Sequence, residues 1–325
     1  MFLQEIIDQI QIGQLDSKRN RIEKRKMVKQ LNGTKVLNGL TTAKKEAELI
    51  NHEVSVHKFN PKNYDEVFEL AQTIKQLANL KFEPTVGIIC GSGLGDLADL
   101  IKDPIVLPYS KIPGFPTTNV IGHKGNLVFG ELAGKYVVCQ QGRFHPYEHE
   151  MDLALCSVPV RIMHMLGNFE FGDLMIIKDH IFMPGLCGFG PLVGLNDPRF
   201  GPRFVSVHDA YDVQLRKTAL RIGQEQNIKL HEGVYVMSSG PQYETPSEVK
   251  LYKVVGADAL GMSTAHEVTV ARQLSMRVLG FSLITNIANT DVENSVEVSH
   301  EEVLDAAAKA SERACKFISQ VLKEI

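Results

Sequence analysis

Thr85-Val-Gly-Ile-Ile-Cys-Gly-Ser-Gly-Leu-Gly-Asp96 joins a β-branched apolar run to three alternate glycines, Gly91, Gly93 and Gly95. The run reads as a buried strand. Glycines directly after it let the backbone turn sharply and bring N–H groups close to an anion. Ser92 adds a hydroxyl donor, and Leu94 to Leu100 resumes an apolar pattern, which predicts a helix whose N-terminus favours negative charge. Two familiar anion motifs do not fit. The dinucleotide fingerprint needs a third glycine where Asp96 stands, and the nucleotide P-loop needs a Gly-Lys-Ser/Thr that is absent. The loop suits a smaller anion such as phosphate, and a purely structural glycine turn is the competing reading.

Four further stretches end apolar runs with polar residues. Gln140-Gln-Gly-Arg-Phe-His-Pro-Tyr147 sets Arg143, His145 and Tyr147 on one face of an extended segment. An arginine fork beside a histidine suits an oxyanion, and a surface pair of Arg143 with Glu148 or Glu150 fits equally. Ser238-Ser-Gly-Pro-Gln-Tyr-Glu-Thr245 delivers Glu244 beside Tyr243, a carboxylate for ring N–H groups and a ring to stack on them. The alternative for Glu244 is a helix N-terminal acid. Gly261-Met-Ser-Thr264 presents Met262 and the Ser263 hydroxyl. Phe281-Ser-Leu-Ile-Thr-Asn286 finishes in an amide that can donate and accept at a heteroaromatic edge. His123, in Gly122-His-Lys-Gly125, and His300, before a helix, read singly as surface or capping histidines.

The elements that must position these residues follow from hydrophobic periodicity. Helical spacing appears at Tyr64 to Leu80, Leu153 to Leu166, Asp209 to Gln226, Ser247 to Val255, Glu267 to Ser275 and His300 to Leu322. Strand-like runs fall at Val86 to Cys90, Leu127 to Phe129, Tyr136 to Gln140, Leu174 to Ile177, Gly233 to Met237 and Val278 to Ile284. Alternating strands and helices predict an α/β fold, a mixed central β-sheet surrounded by helices. Residues 1–60 carry no core pattern and read as a polar, partly basic and disordered extension containing Lys18 to Lys26; residues 61–325 read as the folded domain.

Composition narrows the function. At 325 residues, 44% hydrophobic and 22% charged, the chain has the make-up of a soluble enzyme. A formal charge of −3 leaves no cationic excess to release counterions from nucleic acid. The five cysteines lie far apart, which points to reduced thiols in the cytoplasm, with neither a disulfide frame nor a zinc site. No apolar run reaches membrane-spanning length.

Taken together and in order, these motifs are far more specific than any one alone. With Asn196-Asp-Pro-Arg-Phe-Gly201 and Asp209-Ala-Tyr-Asp212 between them, they resemble the trimeric, animal-type purine nucleoside phosphorylases from about Asn60 to the C-terminus. The resemblance implies reversible phosphorolysis of inosine, guanosine and their deoxy forms to free base and pentose 1-phosphate, within purine salvage. It implies Ser92, His123, Arg143, His145 and Ser263 on phosphate; Tyr147, Met262 and His300 around ribose; and Glu244, Asn286 and Tyr243 on the purine. Asn286, Glu244 and His145 form the implied catalytic set. Phe200 is the implied ring lent to a neighbouring subunit of a homotrimer. No metal or organic cofactor is implied, inorganic phosphate being a co-substrate, and neither nucleic acid nor membrane is an implied partner.

The resemblance also implies a gap. Leu166-Gly-Asn-Phe-Glu-Phe-Gly-Asp173 joins helix to later strand directly, roughly 15 residues short of the family, about one strand and its turn. An alanine whose N–H meets phosphate and an asparagine beside the base have no counterpart. Such a loss would stretch Asn168 to Phe171 into a connection and leave a groove in the sheet beside the phosphate loop. It opens a second reading, a catalytically impaired isoform acting as a binding or subunit-mixing partner.

Overall fold

The computed structural model describes residues 59–91, 94–167, 170–171, 176–228, 230–293 and 297–325. The N-terminal extension, its basic run and Ser92 lie outside the described residues. The unit from Phe59 to Ile325 contains every element below.

α1 (Tyr64–Leu77) is capped by Asn63, whose side chain accepts from the N–H groups of Asp65 and Glu66. It buries Val67, Leu70, Ala71 and Ile74, the i, i+3, i+4, i+7 stripe of an amphipathic helix. β1 (Val86–Cys90) is buried along its whole length. Its side chains alternate between two cores: Val86, Ile88 and Cys90 face one and Ile89 the other.

β2 (Lys102–Pro108), β3 (Asn126–Leu132) and β4 (Lys135–Gln141) join β1 in the order β1-β4-β3-β2. β1 pairs with β4 in parallel and the other pairs are antiparallel, so this sheet is mixed, as expected. Sequence reasoning missed β2. Its Lys102, Asp103 and Pro104 are exposed, and a proline is tolerated there because the strand is an edge.

The helix expected over Leu153 to Leu166 is two, α2 (Leu153–Cys156) and α3 (Val158–Leu166). Pro159 cannot continue the ladder from the preceding turn, and the Ser157 hydroxyl donates back to the Leu153 carbonyl at the break. The segment after the glycine loop also differs from expectation: Gly95–Leu100 is a 3₁₀ stretch without a side-chain cap, not an α-helix.

After Gly167 the chain forms β5 (Glu170–Phe171), which pairs in parallel with β9 (Arg277–Val278). β6 (Ile176–Phe182), β7 (Glu232–Met237) and β8 (Ala259–Gly261) make a parallel three-stranded sheet. The strand expected over Val278 to Ile284 therefore survives only as β9 and an isolated bridge from Gly280 to Ile177. Between Ile89 of β1 and Val278 to Gly280 lies a cavity of about 40 Å³, also bounded by Val160, Val268 and Ala271.

α4 (Met183–Leu186) follows β6, and α5 (Val213–Glu225) follows Asp212, whose carboxylate caps Gln214 and Leu215. That cap starts the helix later than the expected Asp209. α6 (Pro246–Val254) opens with a Thr245/Glu248 capping box. α7 (Ala265–Gln273) and the 25-residue α8 (His300–Glu324) complete the unit. No helix among the described residues is long and apolar enough to cross a membrane.

Candidate functional site

Five segments converge on an open cleft of about 860 Å³: the loop at Gly91, the end of β4, the turn after β7, the end of β8, and residues 281–289 with the start of α8. That volume lies in the range of small-molecule sites. Arg143, His145, Tyr147, Tyr243, Glu244, Met262, Ser263, Asn286 and His300 all line it.

At one end lies Arg143, only 7% exposed. Its Nη1 donates to Ser263 Oγ at 2.7 Å and to Thr264 Oγ1 at 2.9 Å. Its Nη2 lies 3.4 Å from Glu267 Oε2. The alternative of a surface pair with Glu148 or Glu150 is not what the structure shows: a buried guanidinium requires a buried counter-charge, and α7 supplies it in Glu267. Thr264 holds φ +79°, a costly conformation for a β-branched residue, at the point where its hydroxyl meets the arginine.

His123, His145 and Tyr147 form a run of stacked rings, with centroids 5.3 Å and 5.0 Å apart. His123 Nδ1 lies 3.0 Å from the Arg143 carbonyl, so its proton belongs on that nitrogen. Burial, with His145 and the Arg143 guanidinium nearby, pushes His123 down to about 4 and keeps it neutral. It is thus not the surface histidine its sequence context suggested. Gly142 makes this approach possible: at φ +118°, any Cβ would stand 2.8 Å from His123 Cβ.

Glu148 serves His145, not Arg143. His145 Nδ1 lies 3.3 Å from its Oε2, and the Asn119 N–H donates to Oε1 at 2.9 Å. Burial alone would raise Glu148, but the His145 side chain and the Asn119 and His145 N–H groups hold it at about 2. Burial, with Glu148 and Tyr243 nearby, pushes the Tyr147 phenol up to about 12, so it stays protonated.

Farther along the cleft, Ser238 Oγ donates to Glu244 Oε1 at 2.5 Å. The helix-capping duty belongs to Thr245, which leaves the Glu244 carboxylate to the cleft. Gly240, at φ +62°, lets the turn pass against Met262 and Tyr147; a Cβ there would meet Met262 Sδ at 2.5 Å. Asn286 is exposed, and its Oδ1 accepts from Thr285 Oγ1 at 2.9 Å. His300 opens α8 but does not cap it; Ser299 accepts from the Glu302 N–H instead.

Phe200 departs from expectation. It is 1% exposed, with its ring 5.0 Å from that of Tyr64 and the Arg161 guanidinium 4.4 Å over its face. A ring enclosed in its own core cannot be lent to another subunit. Phe204, four residues on, is 89% exposed.

Sequence reasoning missed Thr264 and Glu267. Thr264 adjoins Ser263 at a strand end and was within reach of the polar-terminus signal. Glu267 lies 124 positions from Arg143 in the sequence and carried none. Among the described residues no group of three or more His, Cys, Asp or Glu side chains is arranged to hold a metal ion.

Residues 85–323 match the model of the Phosphorylase superfamily. A mouse purine nucleoside phosphorylase is 46% identical over 266 residues, 77% of this chain and 92% of that protein. The Schistosoma mansoni purine nucleoside phosphorylase in complex with inosine is 41% identical, with a TM-score of 0.75 over 81% of this chain and 98% of that one. A Schistosoma purine nucleoside phosphorylase in complex with guanosine is 40% identical over the same shares, also at 0.75. With a cleft built at strand ends and relatives matched over most of their length, this chain belongs to the phosphorylase superfamily and, within it, to the purine nucleoside phosphorylases.

Proposed function

We propose that this chain catalyses the reversible phosphorolysis of inosine, guanosine and their deoxy forms to a free purine and (deoxy)ribose 1-phosphate. The observation that carries the reading is the polarity of one cleft. A buried guanidinium with two hydroxyls lies at one end, and a carboxylate and an amide line the same cavity. Arg143, Ser263, His145 and His123, with Ser92, hold phosphate beneath the sugar. Tyr147, Met262 and His300 enclose the ribose, and Tyr243 packs on the base. As the glycosidic bond breaks, the sugar gains oxocarbenium character and the purine gains negative charge. Asn286 hydrogen-bonds that charge, and Glu244 anchors the opposite ring edge. Phosphate then captures the anomeric carbon, so no enzyme nucleophile is required. Phe204 supersedes Phe200 as the ring available to a neighbouring subunit, consistent with a homotrimer.

One observation favours a second reading, a chain that binds its ligands but turns over slowly and acts as a binding or subunit-mixing partner. β5 has two residues, and a cavity beside its pairing partner Val278 reaches Arg143. Phosphate-dependent release of hypoxanthine from inosine separates the two.

A further inference from the structure

The Arg143 guanidinium is gripped on two sides. Ser263 and Thr264 take Nη1 at 2.7 and 2.9 Å, while Glu267 Oε2 stands 3.4 Å from Nη2. Ser263, Thr264 and Arg143 all line the open cleft, but Glu267 does not; it faces the small cavity behind. It is 5% exposed and belongs to the first turn of α7, three residues past the strained Thr264. A carboxylate is costly to bury, so its presence here calls for a function that an apolar residue could not supply.

We infer that Glu267 is a positioning residue for the phosphate end of the site: it fixes the plane of the Arg143 guanidinium and never touches substrate. This rests on the reading of Arg143 as the phosphate-binding cation. The two hydroxyls meet the same nitrogen and so define a pivot for the fork. The carboxylate at the second nitrogen adds another point of attachment and sets the plane, as a bidentate clamp does. The cleft then meets phosphate with a preset cation instead of one that must be ordered on binding.

The test is calorimetric titration of the full chain with inorganic phosphate and, separately, with hypoxanthine. Glu267→Ala is expected to weaken phosphate binding about tenfold and hypoxanthine binding less than about twofold. Glu267→Gln, of equal volume but without the charge, is expected to recover only part of the loss and to stay about threefold weaker for phosphate than the unmodified chain, and it carries the test alone if the alanine variant does not fold. Unchanged or tighter phosphate binding in Glu267→Gln and Glu267→Ala would overturn the inference. Equal weakening of both ligands would also overturn it, because that marks a general structural role. If the unmodified chain binds hypoxanthine but no phosphate, the reading of Arg143 fails first.

Discussion

Arg143, two residues past the end of β4, donates to the hydroxyl of Ser263, two residues past the end of β8, across 120 positions of sequence and 2.7 Å of space. The contact ties the mixed sheet to the parallel one at the cleft. Because the arginine is buried, the bond forms away from bulk water, where charge-assisted hydrogen bonds are strongest.

Replacing Arg143 should therefore strike phosphate before nucleoside. Loss of its charge-assisted bonds is worth about 1.5–3 kcal/mol, a factor of about 10–150 in phosphate affinity. Arg143→Met keeps much of the volume while removing the donors. Its phosphate KM should rise by that factor while the inosine KM changes little; an unchanged phosphate KM would return Arg143 to a structural role.

The role proposed for Asn286 makes it the residue that sets the base preference. An amide can both donate and accept at a 6-oxopurine edge, whereas a carboxylate suits a 6-amino base. Turnover of inosine and guanosine should exceed that of adenosine under one set of conditions, since an unpaired polar contact at such a site costs large factors. Asn286→Asp should move the preference toward adenosine. Faster cleavage of adenosine by the unmodified chain would remove Asn286 and Glu244 from their roles.

Stability should fall in mild acid. An unfolded histidine titrates near 6.5, whereas burial holds His123 down to about 4 and His266 to about 3. Burial also lowers His149, His164 and His180. The unfolded chain thus binds more protons between these values. The stability from these groups is complete above pH 6.5 and is lost as the pH falls through 4. Burial raises Glu267, which opposes the trend. Urea midpoints from about pH 7 to 4 should decline, and His123→Asn should decline less steeply. An identical slope in that variant would contradict the buried, neutral state of His123.

The short β5 makes its own prediction. β1 is buried from end to end yet sits at the edge of its sheet, with a cavity beside Ile89. Packing lost beside a buried strand costs several kcal/mol, comparable with a domain's total stability of about 5–15 kcal/mol. Inserting after Gly167 the strand and turn that the family resemblance implies should raise the thermal midpoint and the turnover together. Equal values in both chains would show that β5 suffices.

Much of the site was legible because polar residues directly followed buried apolar runs; Arg143, His145, Glu244, Ser263 and Asn286 all carried that signal. Two kinds of feature were not. β2 opens with Lys102, Asp103 and Pro104, and only its place at the sheet edge makes such a strand tolerable. Phe200 and Phe204 are both aromatic and near one motif, and only tertiary packing against Tyr64 and Arg161 tells the buried ring from the exposed one. Periodicity ran through Ser157 because buried apolar residues continue on both sides of it, and the break depends on Pro159.

The most direct measurement is hypoxanthine release from inosine by the full chain, with and without inorganic phosphate. The cleft as built predicts release that requires phosphate and yields ribose 1-phosphate in equal amount. A folded chain that binds both ligands and releases no hypoxanthine, or that releases it equally without phosphate, would contradict phosphorolysis as its activity.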